Sequence, residues 1–291
     1  MNSKLKGLVI KSISGEYTVS CGECLYTCKP RGVFRYKEEN VKVGDYVDFS
    51  SDELVIEKVY PRKNDLKRPV IANVDKAFLV FSYVEPDLNL NLLDKMISIF
   101  EYLDIEIRII FSKKDKVEDI TKYQNIIDYY KKIGYKCYET SKTTFDEEIT
   151  RDIDNSICVL AGQSGVGKTT LLNNLDKALN LKTDLISYAL GRGKHTTRHI
   201  ELFKVGNGYI ADAPGFGNID FDDIDELTLS HTFIEFFKEI DNCKFKSHCL
   251  HLNEPGCAIK EKVGSGEILK SRYDNYVIFM KEIKEKKLRK Y

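Results

Sequence analysis

The run Gly162-Gln163-Ser164-Gly165-Val166-Gly167-Lys168-Thr169 is a complete G-x-x-x-x-G-K-[ST] pattern, and Thr170 opens a helical stretch after it. It follows a buried strand-like run, 157–160, and that context matters as much as the letters. Glycines let successive backbone N–H groups wrap a phosphate chain, and the N-terminus of the following helix adds the positive end of its dipole. Lys168 is placed to bridge β- and γ-phosphates, and the Thr169 hydroxyl to ligate Mg²⁺. These residues point to a nucleoside triphosphate without saying which base it carries.

The base is chosen elsewhere. Ser112-Lys113-Lys114-Asp115 closes the strand-like run 105–111 and is similar to the N/T-K-x-D guanine pattern. A carboxylate at Asp115 can accept two hydrogen bonds, from guanine's ring N–H and its amino group, which adenine does not offer. Ser112 stands where Asn is usual, so one bond tethering the loop is weakened. Ser141, in Glu139-Thr140-Ser141, matches a loop that lies against the base. Downstream, Asp212-Ala213-Pro214-Gly215 reads as D-x-x-G: Asp212 would hold Mg²⁺ through water, and the Gly215 N–H would sense the γ-phosphate. Between them lies 191–198, where Thr196 or Thr197 could supply a further Mg²⁺-coordinating hydroxyl. Phe216 follows the D-x-x-G where many GTPases have a Gln that orients water, and a phenyl ring cannot do that. His195, whose imidazole titrates near neutral pH, is the candidate to orient or relay a proton from water. Capping or packing of its own loop is the plainer role for it.

Cys243, Cys249, His251 and Cys257 offer three thiolates and an imidazole within fifteen residues. That Cys₃His set suits one structural Zn²⁺ with no open position for catalysis; His248 is a neighbouring alternative ligand. Cys21, Cys24 and Cys28 imitate a second site but have no fourth ligand nearby, and read as strand and turn thiols. Cys137 and Cys158 sit in strand-like runs and read as core.

Three textures position these residues. Short strand-like runs at 8–10, 17–19, 46–49 and 54–56 suit a small barrel. From residue 77, buried runs at 78–84, 105–111, 157–160 and 209–211 alternate with amphipathic stretches, the pattern of a parallel α/β sheet. After about residue 228 come a helix near Leu227–Glu239, the Cys/His segment, and a final helix over Gly266–Lys287 whose Leu269, Tyr273, Tyr276, Met280 and Ile283 form a core stripe. Lys+Arg and Asp+Glu tie at 45, so net charge predicts no polyanionic partner. Distribution says more: residues 1–70 carry 13 basic and 10 acidic side chains, 258–291 carry 10 and 5, and 215–241 carry one Lys against eight acids. Basic ends fit nucleic-acid contact at the flanks. Lys29, Arg31, Arg35 and Lys37 with Phe34 and Tyr36 make a basic, aromatic stretch of the kind that binds RNA. No run of 18 apolar residues exists and no signal-peptide core follows Met1, so a cytoplasmic protein without a membrane span is expected, with its eight Cys reduced.

The motif order is unusual. Ser112–Asp115 and Ser141 precede the phosphate loop at 162, the reverse of an ordinary GTPase, which is a circular permutation. In this order, and in Arg31–Arg35, Val43-Gly44-Asp45, Arg68–Asp75, His195–Thr197, Asp212–Phe216 and the Cys/His ending, nearly the whole chain resembles the bacterial ribosome small subunit-dependent GTPase A family. The resemblance implies a multidomain fold: an OB-like β-barrel over 1–66, a circularly permuted α/β P-loop GTPase over 67–228, and a zinc-binding helical module over 229–291. It implies a GTPase using Mg²⁺ with GTP, docked on the small (30S) ribosomal subunit and its rRNA through the flanking parts during late maturation. It further implies stimulation by that subunit and release on hydrolysis. A His at position 195 also fits the family pattern. A monomer is expected. A GTPase serving another RNA or protein assembly, an RNA-binding module with a barely hydrolytic nucleotide site, and an ATP-specific enzyme are the rival readings.

Overall fold

The computed structural model describes residues 4–32, 40–67, 69–175, 200–212 and 220–289. The chain forms two compact units, each built from two stretches: Met1–Phe78 with Phe145–Phe216, and Leu79–Thr144 with Gly217–Tyr291.

The first unit begins with β1 (Lys4–Ile13), β2 (Glu16–Cys21), β3 (Cys24–Pro30), β4 (Tyr46–Ser50) and β5 (Val55–Val59), closed into a barrel in the order β1-β2-β3-β5-β4. β1 is long enough to serve two neighbours. Lys4–Leu8 pairs with β4 and Leu8–Ile13 with β2. Gly7 sits at that changeover, where a Cβ would lie 2.4 Å from Val19 Cγ1 and 2.7 Å from the Ser20 carbonyl, so only glycine fits. Val9, Val19, Cys28, Val41, Val47, Phe49 and Ile56 fill the interior, each large aliphatic contributing about 1.5–3 kcal/mol by leaving water.

β6 (Asp65–Lys67) and β7 (Val70–Ala72) form a small ribbon that locks onto the barrel. The Ala72 N–H donates to the Val43 carbonyl at 2.9 Å, and Gly44, at φ +90°, lies where a Cβ would be 2.0 Å from the Ala72 oxygen. Asp45 beside it is fully buried and gripped by Arg62 Nε at 2.7 Å and Nη2 at 2.9 Å. The Val-Gly-Asp run is therefore a weld between barrel and linker: close approach at Gly44, a bidentate ion pair at Asp45.

β8 (Lys76–Ser82) passes from the first unit into the second, where α1 (Leu90–Tyr102), β9 (Glu106–Ser112), α2 (Thr121–Ile133) and β10 (Lys136–Glu139) follow it. These strands lie in the order β10-β9-β8, with β10 parallel to β9. The chain then returns to the first unit with α3 (Glu148–Ile153), β11 (Ile157–Ala161), α4 (Lys168–Leu175), β12 (Leu202–Val205) and β13 (Gly208–Asp212), ordered β11-β13-β12. All of β11 is buried, as its unbroken apolar run requires of a strand covered on both faces. Asp75 ties the linker here: its N–H donates to the Ile157 carbonyl, and its carboxylate accepts the Ile157 N–H, both at 2.7 Å.

The second unit ends with α5 (Glu226–His231), α6 (Ile234–Lys238), α7 (Ala258–Gly264) and α8 (Lys270–Arg289). The expected helix over Leu227–Glu239 is two helices. Phe233 leaves helical geometry (φ −90°, ψ 98°) to bury its ring against Phe236 and Tyr276. α8 starts at Lys270 and not Gly266, which adopts φ +81° just past α7. Its stripe is as read at Tyr276, Met280 and Ile283, with Phe279 and Arg272 buried as well. Arg272, 1% exposed, pairs with Asp94 of α1 and Glu235 of α6, both at 2.6 Å. Tyr130 of α2 and Asn275 also donate to Asp94, at 2.6 and 2.7 Å. Among the described residues no helix is long and apolar enough to cross a membrane.

Candidate nucleotide site and metal centre

In the first unit the loop 162–167 links β11 to α4, and three of its glycines hold positive φ: Gly162 at 153°, Gly165 at 81° and Gly167 at 98°. Val166 between them is fully buried and pins the loop to the core. Gln163, Ser164 and Gly165 face solvent to differing degrees, while Thr169 and Thr170 are half-buried in the first turn of α4. Lys168 folds back over the loop, its Nζ donating to the carbonyls of Gly162 at 2.9 Å and Gln163 at 2.7 Å. Burial lowers its ammonium pKa and the charge of Asp212 partly restores it. Asp212 ends β13, in register with Leu160 of β11. A cation and a carboxylate thus flank a loop of N–H groups, the layout that receives a phosphate chain with its metal.

In the second unit, Ser112 closes β9 and is buried, with its hydroxyl 3.4 Å from the Phe81 carbonyl. Lys113 turns the chain through the left-handed region (φ 60°), and a single 3₁₀ turn, Lys114–Lys116, presents Asp115. The Lys113 ammonium donates to the Glu85 carbonyl, and burial lowers its pKa. The Lys142 N–H donates to Asp115 Oδ1 at 3.2 Å, and the Ser141 hydroxyl accepts the N–H groups of Thr143 and Thr144 at 3.1 and 2.8 Å. Two loops at strand C-termini therefore meet around one carboxylate. Glu139, which ends β10, accepts from the Tyr83 hydroxyl at 2.6 Å and Lys114 Nζ at 3.1 Å. Burial pushes its carboxyl up, but Tyr83 and Lys114 outweigh this and hold it below the usual range.

The same unit holds Cys243, Cys249, His251 and Cys257, all buried, with their donor atoms within 4.8 Å of one another. His251 Nδ1 lies 3.7 Å from Cys243 Sγ and 3.5 Å from Cys257 Sγ. Tetrahedral bonds of 2.3 Å to sulfur and 2.0–2.1 Å to nitrogen give an edge of about 3.6 Å, so the donors fit a single small cation. Burial pushes the Cys249 thiol up to about 12 and the Cys257 thiol upward, and pushes His251 down to about 4. The group could bind a metal ion, which would crosslink the loop and α7. Glu254 shapes that loop by accepting the Leu250 and Leu252 N–H groups, and Tyr276 and Tyr273 of α8 donate to the Leu250 and His251 carbonyls. His248 is exposed and outside the set.

Residues 59–222 match the family described as RsgA GTPase, and residues 6–54 match the RsgA N-terminal domain. The chain belongs to the RsgA GTPase family. "Small ribosomal subunit biogenesis GTPase RsgA" of Geobacillus sp. (strain WCH70) is 46% identical, covering 98% of this chain and 99% of its own. The protein of that name from Staphylococcus haemolyticus (strain JCSC1435) is 42% identical over 97% and 99%. Among solved structures, YloQ, described as a circularly permuted GTPase, matches with TM-score 0.82 at 37% identity, over 97% of this chain and 96% of that one. YjeQ from Thermotoga maritima matches with TM-score 0.80 at 35% identity, over 96% and 98%.

The RsgA-type fold is present as read from sequence: closed N-terminal barrel, GTPase, and C-terminal region with a Cys/His cluster fit for zinc. Cys21 and Cys24 face each other across the β2–β3 hairpin and Cys28 lies in the barrel core. Cys158 is core, while Cys137 is half-buried near the sheet edge. Lys29 and Arg31 each face a carboxylate, Glu16 and Glu57, at 3.4 Å. His195, Thr196, Thr197, Gly215, Phe216, Phe34, Arg35, Tyr36, Lys37 and Arg68 lie outside the described residues. Sequence reasoning missed Tyr83, Asp94, Glu235 and Arg272, and quoted Glu139 without giving it a role. No local spacing marks them, because their side-chain partners lie 25–181 residues away.

Proposed function

We propose that this chain is a GTP hydrolase acting in late maturation of the small ribosomal subunit, released from it on hydrolysis. Whole-length identity to proteins named for small ribosomal subunit biogenesis carries the reading. In it, Gly162–Thr170 cradle the phosphates and Lys168 bridges β and γ. Thr169 and Asp212 organise Mg²⁺, Thr196 or Thr197 with Gly215 report the γ-phosphate, and His195 orients water. Ser112–Asp115 and Ser141 read guanine, and Cys243, Cys249, His251 and Cys257 hold one Zn²⁺. The division into 1–66, 67–228 and 229–291 assigns rRNA contact to the two flanking parts of a cytoplasmic monomer. The glycine loop with its parked lysine supports the phosphate assignment, and the Asp115–Lys142 contact supports the base assignment.

The test is GTP turnover of the purified protein alone, with small subunits and with large subunits. The expected result is slow basal turnover raised at least about tenfold, or about 1.4 kcal/mol of barrier, by small subunits only. Stimulation by neither particle, or equally by both, would sink the small-subunit assignment.

A further inference from the structure

The Ser112 hydroxyl, at the head of the loop that presents Asp115, lies 3.4 Å from the Phe81 carbonyl. Further anchors of this loop converge on Glu139. Its Oε1 accepts from Tyr83, which is fully buried and stacked on Phe111 with ring centroids 5.7 Å apart. Its Oε2 accepts from Lys114, the residue directly before Asp115. The Lys114 N–H donates to the Thr140 carbonyl at 3.1 Å, and the Thr140 N–H to the Phe111 carbonyl at 2.9 Å. With both oxygens engaged, the carboxylate has one pose and transmits the rigidity of the sheet core to the loop.

We propose that Glu139 is a positioning residue for base selection, fixing the Lys114–Asp115 segment so that the Asp115 carboxylate meets the ring N–H and amino group of guanine together. This rests on the reading of Asp115 as guanine acceptor. Glu139 itself touches no base. Its removal leaves the buried Tyr83 hydroxyl without this acceptor and Lys114 without its ion pair, so the loop slackens exactly where two hydrogen bonds must be made at once. A purine offering only one of them is less affected.

Inosine diphosphate is that probe, since it lacks the exocyclic amino group. GDP and IDP affinities are measured for full-length wild type, Glu139→Ala and Glu139→Gln, with thermal unfolding alongside. Wild type is expected to favour GDP by at least about tenfold, or about 1.4 kcal/mol. Glu139→Ala should cut that preference at least about fivefold while IDP affinity stays within about twofold. Glu139→Gln, which keeps an oxygen for Tyr83 but loses the charge facing Lys114, should fall between. An Ala variant with the wild-type ratio, or one that loses both nucleotides alike, overturns the proposal. Should the Ala variant not fold, the Gln variant decides: a reduced ratio supports positioning and an unchanged ratio refutes it. A wild-type ratio near one sinks the Asp115 reading itself, a distinguishable failure.

Discussion

Cys249 is fully buried, and burial raises its thiol to about 12, so a cation entering the centre must displace protons. Affinity for the ion should therefore rise with pH, since ligation requires thiolates. Cys249→Ser should reduce bound zinc from about one per chain to a small fraction, read by elemental analysis. The cobalt-substituted variant should likewise lose thiolate charge-transfer absorption, and retention of a full equivalent would refute the Cys₃His assignment. The four donors were legible in the sequence because they lie within fifteen residues. The glycine loop between strand and helix was legible for the same reason, since it is written in a local glycine pattern. Glu139 was on view beside Ser141, but its role is set by Tyr83, 56 residues away, and no spacing rule reaches that far.

Elements were legible where periodicity was clean and less so where a tertiary contact overrode it. The buried runs at β8, β9, β11 and β13 are strands as read, and the last helix shows its apolar stripe. Periodicity alone could not break the helix at Phe233, because aromatic burial decides that bend. Nor could it place Arg272, which counts as polar in any helical pattern yet stands 1% exposed over the Phe233 ring at 4.5 Å. Arg272 binds α8 to α1 and α6 through Asp94 and Glu235. Removing only the cation strands two buried carboxylates. Arg272→Met should thus cost about 3–5 kcal/mol in urea unfolding, and adding Asp94→Asn and Glu235→Gln, which removes the buried charges but keeps acceptors for Tyr130, Asn275 and Tyr129, should recover part of it. A single variant within about 0.5 kcal/mol of wild type would show that water reaches the cluster.

At the scale of the molecule, the Ser112–Asp115 loop and the Cys/His cluster belong to one compact unit, and the 162–167 loop and the barrel to the other. The unit that presents Asp115 also contains α8, whose Arg272 ties it to α1 and α6 although no nucleotide motif lies there. A chain stopped after Gly266 keeps Ser112–Asp115, Gly162–Thr169 and Asp212, but loses Arg272. It should bind GDP at least about tenfold more weakly in a fluorescence titration, and wild-type affinity would show that the guanine lobe stands without α8.

Asp94 and Arg272 are separated by 178 residues. A translating ribosome adds roughly 5–20 residues per second, so Asp94 waits on the order of ten to thirty-five seconds for its counter-charge to be synthesised. During that interval Asp94 has the Tyr130 hydroxyl but no cation, and the ion pair that ties α1 to α8 can form only after the helix beyond the Cys/His cluster has emerged.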